Sequence, residues 1–148
     1  MFIVDPIAFK ISEQLLLAAF LGGLIGIERW FRRKPAGLRT YALVSLGACL
    51  FVSISMNTFH GSQNANVDPS RVLSQIVVGI GFLGAGIIFH KENLVQGLTT
   101  AAGLWVTAAI GASVGMGFYS IAVVATLITL LIFFGLFFFE RSLPRNQD

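Results

Sequence analysis

Five mostly apolar stretches run through this chain, near Ile7–Ile27, Thr40–Phe59, Val72–Phe89, Leu98–Phe118 and Ser120–Phe139, with short polar segments between them. A helix of about 20 residues crosses the hydrocarbon core of a bilayer. Within lipid, every backbone N–H and C=O must find its partner inside the protein. A helix does this locally, whereas a barrel needs many shorter alternating segments, a pattern this chain does not show. The expectation is an all-α integral membrane protein with five transmembrane helices. Composition agrees. Of 148 residues, 55% are hydrophobic and 11% charged, against about 25% charged in soluble domains. The length fits one compact unit.

Charge sets the orientation. Half of the ten Lys and Arg residues fall in the first loop, at Arg29, Arg32, Arg33, Lys34 and Arg39. Lys91 in the third loop and Arg141 and Arg145 in the C-terminal tail lie on the same side, while Lys10 and Arg71 lie on the other. Positive-inside bias then predicts an external N-terminus and a cytoplasmic C-terminus. The loop Asn57–Ser70 is external. The first apolar run precedes the basic residues, the reverse of a cleavable signal peptide. The net charge of +3 sits in loops, so it speaks to topology and excludes a nucleic-acid patch. The short turn at Gly115–Phe118 makes helices four and five antiparallel neighbours.

Small residues recur every fourth position at Ala18, Gly22 and Gly26 on helix one and at Gly103, Thr107, Gly111 and Gly115 on helix four. Such ridges let helix backbones approach closely in lipid. Helix five reads as bulky and unpatterned from Leu130 to Phe139, a surface for lipid or a partner chain. Gly79, Gly81 and Gly84 match a dinucleotide-binding fingerprint, which is rejected because no strand and no aqueous helix start accompany them. Gly86 adds a fourth glycine. Each costs a helix interior about 1 kcal/mol relative to Ala, so tight packing is expected there, or a broken segment beside a cavity.

Polar residues within apolar runs are the functional candidates. Arg71, Gln75 and Gly79 share one helix face, expected to point into the protein, either to bind or to satisfy neighbouring helices. Thr99 and Thr100 open helix four after Asn93, as local caps or as a site facing Glu28 or Arg39. Trp105 is read as core, and the lone Cys49 as a small hydrophobe. Glu13 and Glu28 stand about 22 Å apart along helix one, too far to share one ion. Glu28 is the weak metal candidate, against the alternative of an ion pair with Arg29, Arg32 or Arg39. No nucleophile–base set, zinc-protease motif or phosphate loop is present, so no enzyme, catalytic residue or cofactor is expected. Mg2+ is the one ion considered.

Four segments, Gly26–Arg29, Ala36–Val44, Gly79–Gly86 and Gly97–Trp105, together resemble the MgtC/SapB family of bacterial inner-membrane proteins. The resemblance runs in order from about Leu15 to Tyr119. It implies a multi-pass protein of the cytoplasmic membrane tied to magnesium homeostasis, low-magnesium growth and survival of pathogens in host cells. Members are often labelled magnesium transporters. The resemblance favours a regulatory role toward other membrane proteins, with cation transport as the alternative. By motif position its polar residues are Glu28, Arg39, Thr40, Arg71, Gln75, Asn93, Thr99 and Thr100. Many members carry a soluble C-terminal domain, and residues 1–148 are expected to be the transmembrane domain without it. The small-residue ridges and the short chain suggest a homodimer in the lipid membrane.

Overall fold

The computed structural model describes residues 6–59, 70–91 and 94–142. Five helices form the fold: α1 (Pro6–Phe31), α2 (Leu38–Phe59), α3 (Ser70–Ile87), α4 (Leu98–Gly115) and α5 (Tyr119–Ser142). The first four are long and apolar enough to cross a membrane, and α5 is apolar over Tyr119–Gly135. Helix α3 ends at Ile87. The residues after it form a small antiparallel hairpin, β1 (Phe89–Lys91) and β2 (Leu94–Gln96), where a loop was expected. Of the expected external loop Asn57–Ser70, both ends belong to helices α2 and α3, and residues 60–69, His60 among them, lie outside the described residues.

Helix α4 stands at the centre, with α1, α2, α3 and α5 all packed on it. The predicted ridges are its seams. A Cβ on Gly22 would come 2.6 Å from the Tyr41 carbonyl oxygen, and one on Gly26 would come 2.6 Å from the Leu38 Cα. On α4, a Cβ at Gly111 would strike the Ser45 carbonyl, and one at Gly115 would lie 2.7 Å from the Cys49 carbonyl. These are backbone-to-backbone approaches, and only glycine permits them. They set α1 antiparallel and α4 parallel to α2.

The other glycine cluster behaves differently. Helix α3 is unbroken through it, and only Gly84 meets a neighbour, the Ala101 Cβ at 3.5 Å. Nothing lies within 4 Å of a Cβ built on Gly79, Gly81 or Gly86. The expectation of tight packing there fails because α3 buries only Ile80 and Gly84, with Ile76 and Ile87 partly buried against the core. On α5 the stretch read as bulky and unpatterned leaves Leu131, Ile132 and Phe134 exposed. Phe133 turns inward and joins Ala122, Thr126 and Thr129 in one buried stripe at helical spacing. Trp105 is half exposed, since its side of α4 faces away from the core.

Two helix ends close with the same hydrogen-bond pair. Lys34 N–H donates to the Arg29 carbonyl and Arg33 N–H to Trp30, while Phe118 donates to Ser113 and Gly117 to Val114. This is the Schellman arrangement, which needs a left-handed residue just past the helix. Gly117 supplies it with φ 84°, whereas Arg33 adopts φ 52° despite its side chain.

At the end opposite the basic loop, Gln14 is buried in α1. Its amide nitrogen donates to the carbonyls of Val114 at 3.1 Å and Gly115 at 3.4 Å, and to the Tyr119 hydroxyl at 3.2 Å. Ser53 donates to its amide oxygen at 3.2 Å. The carbonyls of the last helical turn lack intrahelical donors; Gly117 N–H serves Val114, and Gln14 adds a donor to both Val114 and Gly115. The hydroxyls of Thr107, Thr126 and Thr129 donate to the carbonyl four residues back, which removes their cost inside an apolar bundle.

Candidate functional site at the basic end of the bundle

The α1–α2 junction gathers the buried charge. Glu28 and Arg29 are 2% and 3% exposed, so both are out of water. The Glu28 carboxylate takes Arg32 Nε on one oxygen and Arg29 Nη1 at 3.6 Å on the other. Neither oxygen has a well-aligned hydrogen bond, so charge rather than geometry holds the cluster. The Arg29 guanidinium lies 4.3 Å from the centre of the Phe133 ring, and that of Arg32 lies 5.5 Å from Phe134. Cations over aromatic faces are attracted by the ring quadrupole, more so when desolvated.

The network continues inward. Phe133 occupies the space beside Gly103, where a Cβ would come 2.7 Å from the ring. Gly103 also admits the Tyr41 hydroxyl, which donates to the Thr100 carbonyl at 3.2 Å. One cluster thus ties α1, α2, α4 and α5 together at the end bearing the basic loop.

The sequence candidates divide. Glu28 and Thr100 join the cluster, though Thr100 contributes its backbone carbonyl. Arg39, Thr40 and Thr99 are exposed at helix starts and do not ion-pair with Glu28. Helix α4 begins at Gly97, with φ 91° and no side-chain capping bond. Asn93 lies outside the described residues. Arg32, one of the three partners the sequence offered for Glu28, is its ion-pair partner. Glu13 is exposed.

Arg71, Gln75 and Gly79 do not point into the bundle as expected. They are exposed, and line an apolar cleft of about 820 Å3 between α2 and α3 with Ala108 of α4 among its walls. The cleft exists because α2 and α3 scarcely touch, each leaning on α4 instead.

The ion pair of Glu28 with Arg29 was among the alternatives read from the sequence, a reading that missed Phe133, Tyr41 and Gln14. The stripe Ala122, Thr126, Thr129, Phe133 was the available signal for Phe133. Gln14 was visible as an amide inside an apolar run.

A cation would find one carboxylate here, faced by two guanidiniums. The cluster carries a net positive charge. At about 6 Å and an effective dielectric of about 20, one positive charge opposes a divalent cation by roughly 5 kcal/mol. Among the described residues no three His, Cys, Asp or Glu side chains come together as a metal site.

Comparison with known proteins bears on the whole chain. The chain is 50% identical to protein MgtC of Salmonella typhimurium over 122 residues, 82% of this chain and 50% of that protein. It is 44% identical to YhiD of Escherichia coli strain K12, named as a candidate magnesium transporter, over 80% of this chain and 57% of that protein. It is 42% identical to an uncharacterized protein of Haemophilus influenzae over 86% of this chain and 56% of that one. The chain therefore spans about half the length of these relatives. No solved structure matches. The family model described as the MgtC family matches residues 15–142, and the chain belongs to that family.

Proposed function

We propose that this multi-pass membrane protein sits in the bacterial inner membrane, N-terminus outside, and serves magnesium homeostasis by regulating other membrane proteins. Family membership and the names of MgtC and YhiD support the link to magnesium. The observation that carries the regulatory reading is the state of Glu28. This buried acid is enclosed by Arg29 and Arg32 and roofed by Phe133 and Phe134. It fastens helices together and offers a cation net repulsion.

Cation transport is the second reading. The name of YhiD favours it, as does the cleft that carries Arg71 and Gln75. Flux into proteoliposomes of the purified chain separates the two, with Glu28→Ala as the control. The regulatory reading expects no magnesium-dependent flux under any imposed gradient. Selective flux that disappears in the Glu28→Ala protein overturns it.

A further inference from the structure

The cleft between α2 and α3 has the dimensions and the charge of a phospholipid site. Its α3 wall runs from Arg71 to Leu83, about 18 Å of helix. One leaflet of hydrocarbon is about 15 Å deep. The cleft is thus as long as one leaflet and short of a full membrane span. Along that length the volume of about 820 Å3 leaves room for flexible hydrocarbon.

Two missing side chains make the room. Gly47 on α2 and Gly79 on α3 both line the cleft, and nothing lies within 4 Å of a Cβ on either. No contact within the chain accounts for glycine at these helical positions. The remaining lining is apolar apart from Thr40 at the start of α2, with Ala108 of α4 among it.

The charged and amide groups, Arg71 and Gln75, stand at one end, and the Thr40 hydroxyl at the other. Arg71 is exposed at the start of α3 and makes no ion pair with a described residue. Gln75 lies one turn further along the same face, about 6 Å away. The interfacial layer that holds phosphate and glycerol esters is about 5–7 Å thick per leaflet. A guanidinium at phosphate depth and an amide at ester depth match a phospholipid in register, with its acyl chains in the apolar part below.

We propose that this cleft binds an anionic phospholipid from the leaflet on the Arg71 side. Arg71 holds the phosphate, Gln75 donates to an ester carbonyl, and the chains lie along Gly47 and Gly79. The site is separate from the Glu28 cluster.

Native mass spectrometry of the purified chain with equal phosphatidylglycerol and phosphatidylethanolamine tests this. One bound lipid per chain is expected, with phosphatidylglycerol preferred about fivefold, the contribution of one basic residue near anionic lipid. Arg71→Gln is expected to lose the preference and keep the chain in the cleft. Gly79→Leu fills the cleft and is expected to lose the adduct. Gly81→Leu, with open space around it and away from the cleft, is expected to bind as the parent does. Equal retention by all four proteins overturns the proposal, as does a dimer without lipid that Gly79→Leu dissociates. A second measurement uses the unaltered chain, with a phosphatidylglycerol photoreactive midway along an acyl chain. Crosslinks confined to the walls of the cleft are expected, and even labelling of every exposed helix face overturns the site.

Discussion

Glu28 shows how much a single buried charge depends on its neighbours. Removing one member of a buried pair leaves the other uncompensated, at a cost of about 3–5 kcal/mol. Glu28→Gln is therefore expected to destabilise the bundle by about that amount, because Arg29 stays buried over Phe133. Unfolding in detergent measures it, and adding Arg29→Met is expected to recover part of the loss. Two full and additive losses would show that the residues are not coupled. Arg33 is the opposite case. A left-handed conformation costs a residue with a Cβ roughly 1–2 kcal/mol, and Arg33 bears it at φ 52°. Arg33→Gly is expected to stabilise by about 1 kcal/mol, read as a raised melting temperature. Glu28 was legible in the sequence as a carboxylate at a helix end. Arg29, Arg32 and Arg39 were legible only as alternative partners for it, because basic residues in one loop look alike until the helix end fixes which face inward. Arg39 looked equally special and is exposed.

At the scale of the helix, glycine was both the best signal and the most misleading one. Periodic glycines on α1 and α4 predicted close packing, and there the backbones of α2 fill the space. The glycines of α3 carried the same signature and meet open space, apart from Gly84. A sequence records that a side chain is missing and not what stands opposite the gap. The two kinds separate under substitution. Gly111→Ala would drive a Cβ onto the Ser45 carbonyl, a main-chain atom that cannot rotate away. Overpacking of this kind costs about 1–3 kcal/mol or more. Gly81→Ala meets nothing within 4 Å and is expected to gain up to about 1 kcal/mol of helix propensity. Helical circular dichroism during thermal unfolding reads both, and changes of the same sign would show that Gly81 is also packed. On α5 the sequence reading missed Phe133 for a related reason. Its neighbours Leu131, Ile132 and Phe134 are exposed, while it turns inward in line with Ala122, Thr126 and Thr129. The two threonine hydroxyls are satisfied within the helix.

Across the whole molecule the five helices are held unequally. Of the spanning window in α4, 56% is buried inside the bundle, against 11% for α3. Helix α4 is clasped by glycine seams, by the Gln14 amide at one end and by the Tyr41 hydroxyl at the other. Helix α3 leans on it along Ile80 and Gly84, with the cleft on its α2 side. Local opening follows the contacts that must be broken, so elements with few buried contacts open at lower free energy. The central amides of α3 are therefore expected to exchange hydrogen at least tenfold faster than those of α4 in detergent, a difference of about 1.4 kcal/mol or more in opening free energy. Mass spectrometry of peptides from the two helices measures this directly. Equal protection would mean that α3 opens only with the whole bundle. The expected inequality would leave α3 as the element that can shift while the Glu28 cluster holds α1, α2, α4 and α5 in place.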